Sequence, residues 1–167
     1  MQTTKEQLNQ LFVELNIRIE EINCSRREEK LLSVPKAKVQ LLGQISLLSH
    51  DKVSAILSLA QTGDVDAFLT MDHVVKVELK KALRAQGLVY DEDSYLIWVP
   101  PGSKFETFLS LDNLFVESID PESALVSKAV KAPEKNKQLI RQAIASDGFP
   151  NLVDRILENG GRLEDFI

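Results

Sequence analysis

Apolar residues recur with a helical period from near the start of the chain. Leu8, Leu11, Phe12, Leu15, Ile19 and Ile22 share one face, the spacing of an amphipathic helix. Thr3 and Glu6 precede them in a capping-box pattern. The charged run Ser25 to Lys30 closes this helix, and Pro35 forbids a simple continuation. "AKVQLLGQ" is a short apolar run that stops at Gly43; its length favours a strand over the start of a helix. Residues 44–60 return to helical spacing through Ile45, Leu48, Ile56, Leu57 and Ala60, with "SHDK" as the point where that helix would break. After Gly63, Val65, Ala67 and Leu69 alternate as a strand does.

Asp72 is placed to cap the next helix, on which Val75, Leu79, Ala82 and Leu83 share a face, and Gly87 closes it. "LVYDEDSYLIWV" reads as two short strands joined by an acidic turn, ended by Pro100-Pro101-Gly102. "NLFVESI" is a further strand. Asp120 then caps a helix with Pro121 at its first position. Pro133 stops that helix, a second runs to about Ser146, and a third runs from Pro150 to Gly160-Gly161. The pattern predicts an α+β (α/β-like) fold, with a small mixed sheet between helices. Strands 65–70 and 94–99 are expected as neighbours, flanked by helices 44–60 and 72–86. The N-terminal helix occupies residues 1–34, the core 35–120 and the C-terminal helices 121–167, within a single domain.

Composition narrows the chemistry. The net charge of −5 gives no general attraction to nucleic acid or anionic lipid. Cys24 is the only cysteine, which excludes an internal disulfide and a metal site built on several thiolates. His50 and His73 lack metal-ligand spacing. No apolar run is long enough to span a bilayer. The polar N-terminus "MQTTKEQLNQ" does not read as a signal peptide, so a cytoplasmic protein is expected. The N-terminal helix carries mixed charge on its polar face, which suits packing on the domain or on a protein partner rather than on a membrane.

The stretch that bears on function is "TGDVDAFL". On a strand, Asp64 and Asp66 point to one face with Cα atoms roughly 6.5–7 Å apart. Such a pair can hold Mg²⁺, which takes one or two protein carboxylates and completes its octahedron with water and phosphate oxygens. Asp91 and Asp93 repeat the spacing in "VYDEDSY", where an acidic turn accounts for them.

The order Gly43-Gln44, helix, Thr62-x-Asp64-x-Asp66 resembles the minimal nucleotidyltransferase fold. It is most similar to bacterial abortive-infection (AbiEii-type) toxins and related uncharacterised families. "VPPGSKFETF" and "SIDPESALVSKAVKAPEKNKQLI" resemble later segments of those families, and the resemblance spans about residues 38–145. It implies an α/β nucleotidyltransferase-like core and Mg²⁺-dependent transfer of a nucleotidyl group from an NTP to an acceptor. Asp64 and Asp66 would be the catalytic metal ligands. Gly43, Gln44, Thr62 and Lys128 would line the nucleotide, and Lys135 would add positive charge. The chain also departs from the family at chemically important points. Leu42 stands where the phosphate turn has a small residue, Trp98 where a third carboxylate is expected, and Asn136 where aspartate is common. Glu117 is the candidate substitute for the third carboxylate. These departures point to a partly degenerate site. The alternative is a non-catalytic nucleotide-binding or protein-interaction module of a toxin–antitoxin-like system.

Overall fold

The computed structural model describes residues 2–167. Its sheet is built outward from the run AKVQLL, which forms β1 (Ala37–Leu42). On one side of β1 lies β2 (Asp64–Thr70), antiparallel to it; on the other lies β5 (Leu114–Ile119), parallel to it. β3 (Val89–Tyr90) runs parallel outside β2, and β4 (Phe105–Ser110) runs antiparallel outside β5. The order is β3-β2-β1-β5-β4 in a five-stranded mixed sheet, so the fold is α+β as the hydrophobic pattern predicts.

Alternation along the strands separates two cores. Val39, Leu41, Val65, Ala67, Leu114 and Val116 face α1 (Thr4–Glu28) and α4 (His73–Ala85). At the other face, Leu42, Phe68 and Ile119 meet α5 (Pro121–Lys131), α6 (Lys137–Ala145) and α7 (Leu152–Glu158). The expected caps form. Thr3 Oγ1 accepts from the Glu6 backbone N–H at 3.1 Å while Glu6 accepts from the Thr3 N–H at 3.2 Å. Asp72 accepts from the Val74 N–H at 2.9 Å. Asp120 accepts from both the Ser123 and Lys104 N–H groups, so one carboxylate starts α5 and anchors the chain entering β4. The apolar face of α1 packs on the domain's own sheet. No helix of the described residues is long and apolar enough to cross a membrane.

Two expectations are corrected, and one strand was not expected. The helix over 44–60 is two short helices, α2 (Gly43–Leu48) and α3 (Asp51–Ile56). Between them the Ser49 hydroxyl donates to the Ser46 carbonyl at 2.6 Å and His50 is extended; Leu57 leaves the helix in an extended conformation and is buried. Residues 94–99 do not form a strand. Ser94–Leu96 is a single 3₁₀ turn, because the Ser94 Oγ accepts from the Ala67 N–H of β2 at 3.1 Å and donates to the Asp91 carbonyl at 2.6 Å. One hydroxyl thus replaces the strand that would have paired there. Finally, the edge strand β4 does not appear in the hydrophobic pattern. A register shift between Thr107 and Leu109 breaks its alternation, and Phe108 and Leu109 both pack against the first core.

The burial contrast along α1 sets a stability test. Phe12 is 1% exposed and meets Phe108 edge-on at 6.4 Å, whereas Ile17 is 54% exposed. Phe12→Ala should cost about 3–5 kcal/mol in denaturant unfolding. Ile17→Ala should change stability by less than about 0.5 kcal/mol.

Candidate functional site

β1 ends at Leu42, and the chain turns into α2 through Gly43, whose φ is +57°. That left-handed conformation favours glycine. Space requires it as well: a Cβ on Gly43 would lie 2.6 Å from Asp66 Oδ2. Antiparallel pairing of β1 with β2 sets Leu42 opposite Asp66, so the Asp66 carboxylate rests against the turn. Asp64, on the same strand face and closer to the strand's start, is exposed, whereas Asp66 is half-buried.

Asp66 has a second carboxylate neighbour, Asp91. The parallel ladder pairs Asp64 with Val89 and Val65 with Tyr90. It continues through the Asp91 N–H, which donates to the Val65 carbonyl at 2.9 Å. Asp91 therefore follows in register beside Asp66, within hydrogen-bonding reach of its side chain. The acidic turn is also present, since Asp91 Oδ1 accepts from the Asp93 N–H at 2.9 Å. Asp91 is both a turn residue and a member of the site. Its signal lay in the strand pairing rather than in the motif.

These contacts hold the Asp66 carboxyl up at about 6, first through burial, then through the Asp91 hydrogen bond and charge, with Asp64 adding repulsion and Lys128 opposing the shift. Lys128 reaches the same region from α5. It is half-buried and has no carboxylate within salt-bridge distance among the described residues. Burial lowers its pKa, and Lys135 lowers it further, while Asp66 acts the other way.

Beyond Gly43 a cleft of about 460 Å³ opens between α5 and the loop after the 3₁₀ turn. Lys128, Lys131 and Lys135 line it together with the apolar Ile97, Trp98 and Ile119, and the Lys131 ammonium lies over the Trp98 ring. Leu42, expected to crowd this space, is 1% exposed and packs in the second core, leaving the cleft open above it. Trp98 is a cleft wall, its carbonyl accepting from the Ser127 hydroxyl at 2.7 Å.

Gly43, Lys128 and Lys135 therefore line the cleft, and Asp66 rests against Gly43 with the exposed Asp64 further along β2; neither aspartate is among the cleft-lining residues. Gln44 and Thr62 support them from outside. Gln44 Nε2 donates to the Ala60 carbonyl at 2.8 Å, and Thr62 Oγ1 accepts from the Asp64 N–H at 3.1 Å. Both fix the approach to β2. Glu117 does not substitute for a third carboxylate. It pairs in register with Gln40, two residues back from Leu42, and is held by Gln40 at 3.0 Å and Lys38 at 3.8 Å. Asp91 is the additional carboxylate that the sequence reading did not assign. Among the described residues no group of three or more His, Cys, Asp or Glu side chains is placed to hold a metal ion. No protein-family model, curated protein or solved structure matches the chain.

Two outcomes are expected. Gly43→Ala should cost about 1–2 kcal/mol from its backbone conformation alone. It should also displace the Asp66 carboxylate, so unfolding of Gly43→Ala combined with Asp66→Ala should fall short of the sum of the single effects. The Asp66 proton, bound more tightly folded than unfolded, contributes stability below about pH 4 that is lost as pH rises through 6. In metal-free buffer, Asp66→Asn should therefore gain on the wild type in urea midpoint between about pH 4 and about pH 7.5.

Proposed function

We propose that the cleft takes a nucleoside triphosphate as its Mg²⁺ complex and that the protein transfers the nucleotidyl group to a hydroxyl acceptor. The observation that carries this reading is Gly43, which lines the cleft with Lys128 and has the Asp66 carboxylate against it, with Asp91 in register beside Asp66. The donor set suits the ion. Asp66 and Asp91, with Asp64 further along the strand, make an open oxygen edge of the kind Mg²⁺ completes with water and phosphate. The raised Asp66 carboxyl supports the same reading, because the carboxylate repulsion that holds its proton is what a dication relieves. When bound, Mg²⁺ would supply charge neutralisation at the phosphate oxygens.

The chain's own groups account for the rest. Lys128 and Lys135 present positive charge to the triphosphate. Gly43 lets the Asp66 carboxylate come against the first turn of α2, at the edge of the cleft. The acceptor oxygen bonds to the α-phosphorus, the bond from that phosphorus to the β-phosphate oxygen breaks, and pyrophosphate leaves. The acceptor's proton passes to the Asp91 carboxylate, a role that a carboxylate in reach of the hydroxyl can fill. The degenerate character suggested by Trp98 is thereby reduced, since Asp91 offers the carboxylate that Trp98 does not.

A second reading, nucleotide binding without transfer in a toxin–antitoxin-like system, is favoured by Leu42, Trp98 and Asn136, which stand where the resembled families carry a small residue, a carboxylate and an aspartate. A protein partner in such a system would meet the polar side of α1, because its apolar side is already covered.

Incubation with α-labelled NTPs and cell extract, with and without Mg²⁺, separates the readings. Transfer should label an acceptor only with Mg²⁺. Asp66→Asn and Asp91→Asn should each lower labelling by about a hundredfold or more. Asp93→Asn should leave it unchanged, because the exposed Asp93 contributes only backbone groups to the turn. Nucleotide binding without labelling would establish the second reading.

A further inference from the structure

The cleft lining is of two chemical kinds. Its three lysines suit phosphates, but the apolar Ile97, Trp98 and Ile119 have no use in holding a phosphate chain. Trp98 stands there on a fixed backbone. Its carbonyl accepts from the Ser127 hydroxyl at 2.7 Å. The loop that carries it is tied at one end by Ser94 to β2 and at the other by Arg155, which donates to the Pro101 carbonyl at 3.0 Å. Trp98 is half-buried, and the Lys131 ammonium lies over its ring, 5.1 Å from the centroid, so that a base stacking on this face takes the place of the ammonium. A flat, preorganised aromatic ring among lysines is the arrangement that receives a base by stacking and its phosphates by charge.

We propose that Trp98 is the nucleobase platform of this cleft, and that the site accepts nucleoside triphosphates with little regard to the base. The proposal rests on the nucleotide reading above. The lack of base selection follows from the polar groups nearby. The Ser127 hydroxyl is committed to the Trp98 carbonyl, and the Asn136 amide donates to the Ala132 carbonyl at 2.9 Å. What remains to read a base edge is the Asn136 carbonyl oxygen and its second amide hydrogen, with lysine ammoniums that are flexible point charges of no fixed direction. Stacking depends little on which base is present, whereas discrimination needs several directed hydrogen bonds. The residue that stands in the place of a family carboxylate thus acquires a binding role in this chain.

Trp98 is the only tryptophan in the chain, so its fluorescence reports on the cleft directly. Mg²⁺ complexes of ATP, GTP, CTP, UTP and inorganic tripolyphosphate are titrated against the wild type, Trp98→Phe and Trp98→Ala, with binding measured by calorimetry. The four NTPs should quench Trp98 and bind within about tenfold of one another, while tripolyphosphate binds more weakly and quenches little. Trp98→Ala should weaken NTP binding by about tenfold and leave tripolyphosphate unchanged, and Trp98→Phe should restore most of the loss. Equal binding of tripolyphosphate and NTPs, with no quenching, would overturn the platform and leave the phosphate site standing. A preference of more than about a hundredfold for one base would overturn the lack of selection. Equal loss of both ligand classes in Trp98→Ala would assign Trp98 to folding and overturn its ligand role. No binding of any phosphate ligand to the wild type would overturn both this proposal and the nucleotide reading.

Discussion

The contact between Gly43 and the Asp66 carboxylate is the constraint around which the cleft is arranged. No side-chain atom stands between them, and a Cβ would come within 2.6 Å of Asp66 Oδ2. That closeness follows from the register of the two central strands, which sets Leu42 against Asp66. It also fixes where α2 begins, and α2 packs against both β2 and α5. The strand end, the first turn of the following helix and the carboxylate therefore move as one unit. A change at any of them is felt at the others, because the contact has no slack.

Charge is distributed around that unit in an unbalanced way. Asp66 has Asp91 and Asp64 as neighbours and holds its proton up to about 6, while on α5 Lys128 is pushed down by burial and by Lys135. Like charges crowd in each group, and the attraction between Asp66 and Lys128 offsets this only in part. A folded chain gains nothing from such crowding, since each half-buried charge is disfavoured without a close partner. A ligand carrying both a dication and a polyanion would relieve both groups together, which is why the electrostatics and the geometry favour the same proposed occupant.

Ser94 shows how a small polar group redirects the chain beside this site. By taking the Ala67 N–H and capping the Asp91 carbonyl, its hydroxyl ends the ladder after β3. The following residues are thereby freed from the sheet, leaving Tyr95 and Leu96 exposed and Trp98 against the cleft. Had residues 94–99 paired as a strand, Trp98 would have faced one side of the sheet instead of walling a groove with Lys131 above it.

What the sequence determined by itself is what depends on near neighbours along the chain. The capping box at Thr3 and Glu6, the caps at Asp72 and Asp120, Pro121 in the first turn, and the alternation of Val65, Ala67 and Leu69 each involve groups a few residues apart. Local sterics and hydrogen bonding suffice for them, so most helices and the inner strands were legible, together with the shared strand face of Asp64 and Asp66. Tertiary structure decided what depends on register. Asp91 looks like a turn residue in the sequence and is one; only the pairing of β3 with β2 brings its carboxylate to Asp66. Glu117 looked available until its pairing with Gln40 set it away from the turn. The bulge that hides β4 and the hydroxyl that cancels a strand at Ser94 are likewise set by partners far along the chain. A strand's neighbours across a sheet are chosen by the packing of the whole core, and one residue of slip would exchange every inward side chain for an outward one.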